Sequence, residues 1–188
     1  VQRVAGATRF ETAVAIAREI GVADAVLLST GLDFPDALTA GAAAPQIDAV
    51  VLLTNGAQPH PATLEYLGDR AELAQFAVGG PAVAAHPSAT PVMGASRYET
   101  AAQVARTFFA DPAHVGVASG EAFPDALAGG AHIGRRGGPL LLTARYFLPS
   151  ATWAYLHDHA DSIAAAYVYG GPAAVDDTAR SAIPTAFS

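Results

Sequence analysis

The sequence predicts an α/β fold in two similar units, each a mainly parallel sheet flanked by helices. Three observations carry that expectation. First, the chain nearly repeats itself. Thr8-Arg9-Phe10-Glu11-Thr12-Ala13 returns as Ser96-Arg97-Tyr98-Glu99-Thr100-Ala101, and Gly31-Leu32-Asp33-Phe34-Pro35-Asp36-Ala37-Leu38 returns as Gly120-Glu121-Ala122-Phe123-Pro124-Asp125-Ala126-Leu127. Leu52-Leu53-Thr54 with Leu141-Leu142-Thr143, and Gly79-Gly80-Pro81-Ala82 with Gly170-Gly171-Pro172-Ala173, keep the same order. The period of about 90 residues is too long for a solenoid repeat and fits a small domain. Second, strand-length apolar runs alternate with stretches of helical periodicity, the signature of βαβ units. Third, 52% hydrophobic against 14% charged residues in a chain of 188 argues for a packed globule and against disorder. The units are placed at residues 1–89 and 90–188.

Element by element, Val26-Leu27-Leu28, Val50-Val51-Leu52-Leu53 and Phe76-Ala77-Val78 read as strands of the first unit. Val115 to Ala118, Leu140 to Leu142 and Ala166 to Tyr169 read as those of the second. A short leading strand, Gln2 to Ala5 and Pro91 to Met93, is expected to join each sheet. Phe10, Ala13, Val14 and Ala17 make one apolar stripe at helical spacing, and Leu64 and Leu67 begin another. Thr8-x-x-Glu11 and Ser96-x-x-Glu99 read as capping boxes. Pro35 and Pro124 suit a first helical turn, where the missing amide hydrogen does no harm, and Asp36 and Asp125 follow against the positive helix end. The stretch from His86 to Pro91 is expected to link the units.

Composition excludes several functions. A formal charge of −7 disfavours nucleic acid, whose non-specific binding comes from phosphate neutralisation. The absence of cysteine removes disulfides and thiolate metal sites. No run approaches the roughly 18 apolar residues of a membrane span, so no membrane insertion is expected. The chain starts at Val1 and reads as a processed form or an excised piece. The six histidines are scattered with no metal-binding spacing, and neither a serine elbow nor a dinucleotide glycine pattern occurs.

The repeated motifs resemble the cell-wall-binding repeat (type 2) of Gram-positive surface proteins. That repeat runs G-A-D-R-Y-E-T-A, S-G-x-x-F-P-D-A-L, an L-L-T strand, L-P-x-x-T at a helix start and a closing G-G-x-x-A-V. Two copies cover essentially the whole chain; the first departs from the pattern at Pro59-His60-Pro61-Ala62-Thr63. The resemblance implies Rossmann- or Toprim-like units in a noncatalytic, cofactor-free module that retains an exported protein at the cell wall. The implied partner is an anionic wall polysaccharide or teichoic-acid-like polymer. Clostridial members commonly pack three repeats as a pseudo-threefold trimer, whereas this chain has two, so a homo-oligomer stays open.

Ligands of open parallel sheets bind beyond the strand C-termini, where helix N-termini offer free amides. The repeated polar residues fall at that edge: Arg9, Glu11, Asp33, Asp36 and Thr54 from the first copy, and Arg97, Glu99, Glu121, Asp125 and Thr143 from the second. These are the candidate ligand-binding residues, with an arginine-centred anion pocket as the expected chemistry. Alternatively, Arg9 pairs with Asp36 and Arg97 with Asp125, tying helix starts together with no ligand. Phe34 and Phe123 are read as packing residues rather than sugar-stacking ones. Two rival functions stand beside the anchor. One is a metal-assisted hydrolase using Glu11, Asp33 and Asp36, weakened by Asp33 aligning with Ala122. The other is a self-assembly module.

Overall fold

The computed structural model describes residues 1–188. In chain order the elements are α1 (Arg9–Ile20), β1 (Ala25–Thr30), α2 (Pro35–Ala43), β2 (Ala49–Thr54), α3 (Pro61–Gly68), β3 (Ala74–Val78), α4 (Gly80–Ala85) and β4 (Thr90–Val92). There follow α5 (Arg97–Phe108), β5 (His114–Ser119), α6 (Pro124–Arg135), β6 (Leu140–Thr143), α7 (Ser150–Asp158), β7 (Ala165–Tyr169) and α8 (Asp177–Ala182). Two entirely parallel sheets result, a four-stranded one in the order β2-β1-β3-β4 and a three-stranded one in the order β6-β5-β7. No helix is long and apolar enough to cross a membrane.

Every residue of β1 is buried, as a central strand covered on both faces requires. Val26 and Leu28 point into a core with Val14 and Ala17 of α1 and Tyr66 and Leu67 of α3. Leu27 points the other way, to Ala40 and Ala43 of α2 and to Val104 and Phe108 of α5. Thus α5, a helix of the second repeat, covers the first repeat's sheet. Its other stripe, Ala102 and Ala105, packs on the second sheet with Val115, Val117 and Leu141. Phe108 meets Phe76 edge-on with ring centroids 5.1 Å apart, a preferred aromatic geometry. Helices α2 and α6 also touch closely: a Cβ on Gly134 would lie 2.7 Å from the Ala42 carbonyl, so only glycine fits there.

Two expectations need correction. Thr90–Val92 is a strand, but it pairs with β3 of the first repeat, with Val78 opposite Val92, rather than with the second sheet. Gln2 to Ala5 forms no strand. The His86 to Pro91 stretch leads from α4 into β4 and is packed on the first unit. His86 and Ala89 are buried and Ala89 belongs to the first core, because the chain must stay close to deliver β4.

Candidate functional site at the repeat junction

Both repeats build the start of their first helix in the same way. Thr8 caps α1 and the Glu11 carboxylate returns to the Thr8 amide at 2.9 Å, a complete capping box. The Thr8 hydroxyl also donates to that carboxylate and, more than any other group, holds the Glu11 carboxyl below its ordinary range. In α5 the Ser96 hydroxyl accepts from the Glu99 amide at 3.3 Å, but the Glu99 carboxylate reaches one residue further back, to the Ala95 amide at 2.7 Å. The closing half of that box therefore differs from expectation. Glu11 and Glu99 are committed to the backbone.

The arginines beside these caps reach the next strand end of their own repeat. Arg9 Nη1 donates to the Gly31 carbonyl at 2.6 Å, and Arg97 Nη1 donates to the Gly120 carbonyl. The two differ in their second nitrogen. Arg97 Nη2 lies 3.4 Å from Asp33 of the first repeat, whereas Arg9 makes no ion pair. Neither expected pair, Arg9 with Asp36 nor Arg97 with Asp125, forms. The ion pair is between repeats because β4 on the edge of the first sheet delivers the α5 start to the C-terminal end of β1.

Asp36 and Asp125 sit in the first turns of α2 and α6, over the repeated Gly-Gly turns. Gly79 has φ +88°, and a Cβ there would collide with the Asp36 carboxylate; Gly170 stands in the same relation to Asp125. That link between the Phe-Pro-Asp-Ala and Gly-Gly motifs was not read from sequence; their co-occurrence in both copies was the available signal. Burial pushes the Asp36 carboxyl up to about 6, Asp33 adds to the rise and Arg97 opposes it. Asp33, Asp36 and Arg97 line one cleft of about 290 Å³ with Thr30, Ser96 and Thr100. A neighbouring hollow of about 250 Å³ on the other side of Asp33 is lined by Arg9, Leu32 and Phe34.

The remaining candidates lie apart from this cleft. Thr54 and Thr143 are fully buried, and their hydroxyls donate to loop carbonyls, Thr54 to Gly56 at 2.8 Å and Thr143 to Phe147 at 3.0 Å. They shape the loops and do not face solvent. Glu121 is exposed, and its charge is one cause, after burial, of the raised Tyr98 phenol. Phe34 and Phe123 depart from the packing expectation. Phe34 is half-buried and Phe123 is 52% exposed, with their centroids 6.0 Å apart across the repeats. The Arg97 guanidinium lies 6.0 Å from the Phe34 ring. No three of the His, Asp and Glu side chains are grouped to hold a metal ion.

The family described as Cell wall binding domain 2 (CWB2) matches residues 3–86 and again 92–180. N-acetylmuramoyl-L-alanine amidase LytC of Bacillus subtilis (strain 168) is 27% identical over 149 residues, which are 76% of this chain and 30% of the amidase. Cwp6 from Clostridium difficile superposes with a TM-score of 0.84 at 26% identity, over 97% of this chain and 31% of that one. Cwp8 from the same organism gives 0.84 at 19% identity, over 100% and 33%, a likeness of fold. The chain spans about a third of the length of these relatives. With both of its repeats matched and the fold of Cwp6 around a cross-repeat cleft, the chain belongs to the cell wall binding domain 2 family and is a cell-wall-binding module.

Proposed function

We propose that this chain acts as the anchor of a larger exported protein, binding a non-peptidoglycan wall polymer and catalysing nothing itself. The polymer is an anionic polysaccharide or teichoic-acid-like chain, and it contacts the strand C-terminal edge where the repeats at 1–89 and 90–188 meet. One observation carries this reading: Arg97 touches the Gly120 carbonyl of one sheet edge and the Asp33 carboxylate of the other, and side chains of both repeats line one open cleft at the first sheet's edge. Ligand sites of open parallel sheets lie at such edges. For the metal-assisted alternative, Glu11 is held by its helix cap and Asp33 by Arg97, which leaves Asp36 without the grouped carboxylates that reading needs.

The test is co-sedimentation of the chain with purified Gram-positive cell walls, before and after stripping of non-peptidoglycan polymers. Binding that disappears on stripping is the expected result. Failure to sediment with intact walls removes the anchoring reading.

A second reading, self-association, is favoured by a separate observation. Thr90–Val92 completes the first sheet, while the matching edge of β7 has no strand on it and the aligned Gln2 to Val4 is unpaired and exposed. Exposed Ile16 and Ile20 of α1 stand where Val104 and Phe108 of α5 make the repeat interface. Strand addition between copies predicts a mass that rises with concentration and a Val4→Asp variant that stays at 19.0 kDa. A wild-type mass fixed at 19.0 kDa at all concentrations removes it.

A further inference from the structure

We propose that the repeat pair forms one composite saccharide site rather than one site per repeat, and that this site holds an uncharged, hydroxylated sugar ring of the polymer rather than its anionic groups. The proposal rests on the anchoring reading above and specifies its ligand chemistry and stoichiometry. The stoichiometry follows from the cleft walls. Asp33, Asp36 and Thr30 come from the first repeat and Ser96, Arg97 and Thr100 from the second. Arg97 and Asp33 are joined across the repeats at 3.4 Å, whereas their repeat counterparts are not joined: Arg9 has no carboxylate partner, and Asp33 corresponds to Ala122. The second repeat's Asp125 lies over its own Gly170 and is not part of the cleft that Asp36 lines. Duplication of the sequence has therefore not duplicated the site.

The ligand chemistry follows from the charges and the rim. The cleft sets two carboxylates against one guanidinium, and that guanidinium is already matched by Asp33. A phosphate or carboxylate entering here meets like charge and must displace the existing ion pair. Sugar hydroxyls meet no such penalty: they donate to the carboxylate oxygens of Asp33 and Asp36 and accept from Arg97, Ser96 and Thr100. Beside the polar floor stands an apolar rim. Phe34 and Phe123 approach to 6.0 Å at a 58° tilt, and Leu32 is 63% exposed next to Phe34. The cleft itself is polar, and the apolar side chains of the neighbouring hollow lie next to it, so a ring whose hydroxyl edges enter the cleft can lay a C–H face against that rim. The polymer's charged linkages then lie outside the cleft, toward the exposed Arg9.

The test is calorimetric titration of the 188-residue chain with the oligosaccharide that hydrogen fluoride releases from purified Gram-positive walls by cleaving phosphodiesters. The expected result is one site per chain, with affinity changing by less than about 3-fold between low and high salt. Arg97→Ala is expected to weaken binding by about 10-fold or more, and Arg9→Ala by less than about 3-fold. Phe123→Ala guards against misfolding at Arg97, since an exposed ring can be removed with the fold intact, and it is expected to weaken binding as well. Two sites per chain, or equal losses for Arg9→Ala and Arg97→Ala, overturn the composite site. Binding of intact walls without binding of the dephosphorylated oligosaccharide overturns the uncharged-ring chemistry. Neither result touches the anchoring reading, which fails if intact walls are not bound or if stripped walls are bound equally well.

Discussion

Asp36 ties the stability of the fold to the cleft proposed for recognition. Its carboxyl titrates near 6 instead of at 3.8, because burial and the neighbouring Asp33 disfavour the charge more than Arg97 restores it. The folded chain therefore holds a proton here that the unfolded chain has released between about pH 4 and 6. The corresponding stability is fully present below about pH 4 and is lost as the pH rises through about 6. Asp36→Asn removes the charge and is expected to raise stability at pH 8 by about 1 to 2 kcal/mol, a value reduced for the group's partial contact with solvent. Thermal midpoints from pH 4 to 8 check this; the gain should shrink as the pH falls, and a gain that grows toward acid would contradict it. A second residue-scale prediction concerns Tyr66 and Tyr155, buried at matching places in the two cores with no protein partner for either hydroxyl. Tyr66→Phe is expected to be neutral or stabilising by up to about 1 kcal/mol, because an unpaired buried hydroxyl costs its desolvation. Chemical denaturation measures it, and a loss above about 1 kcal/mol would mean the hydroxyl is satisfied. At this scale the repeated polar residues could be read from sequence and their partners could not. Arg97 and Asp33 are 64 positions apart, and nothing local distinguishes that pair from Arg97 with Asp125.

Apart from the Gln2 to Ala5 strand and the closing half of the Ser96 capping box, the expected elements were legible in their order and parallel pairing, since apolar runs, capping boxes and first-turn prolines are local signals. The destination of β4 was not. A three-residue strand pairs through its main chain, and Thr90-Pro91-Val92 carries no address saying which sheet it joins. The clue lay in α5, whose Val104 and Phe108 are apolar beyond what its own sheet needs; they are the side chains that cover the first repeat. Phe108→Ala should cost about 3 to 5 kcal/mol, as a large buried ring lost from between repeats leaves a cavity. A loss under about 1 kcal/mol would show that the interface is not part of the folding unit. The same face of the second repeat has diverged. Counting from the Phe-Pro-Asp-Ala motifs, His132 and Arg136 replace Ala43 and Ile47; counting from the Gly-Gly motifs, Tyr167 and Tyr169 replace Phe76 and Val78. There His132 Nδ1 and the Tyr169 hydroxyl are 2.7 Å apart and Arg136 lies over the Tyr167 ring, so this face is polar where its counterpart is apolar and covered.

For the whole molecule, the shared helix α5 and the crossing strand β4 pack the two sequence repeats against each other. A single calorimetric transition is expected, with the Phe108→Ala and Asp36→Asn effects both appearing in it; two resolved transitions would mean that the repeats unfold independently. The same construction explains why the proposed site is legible only in three dimensions: repeats that look self-sufficient in sequence place the walls of one cleft on different copies. The measurement that tests this account most directly is the affinity of wild-type chain and Arg97→Ala for purified Gram-positive walls, intact and stripped of non-peptidoglycan polymer. The account predicts that wild-type chain binds intact walls alone and that the variant, folded as judged by its melting, binds them at least about 10-fold more weakly. Equal binding to stripped walls, or a folded Arg97→Ala chain that binds as well as wild type, would contradict it.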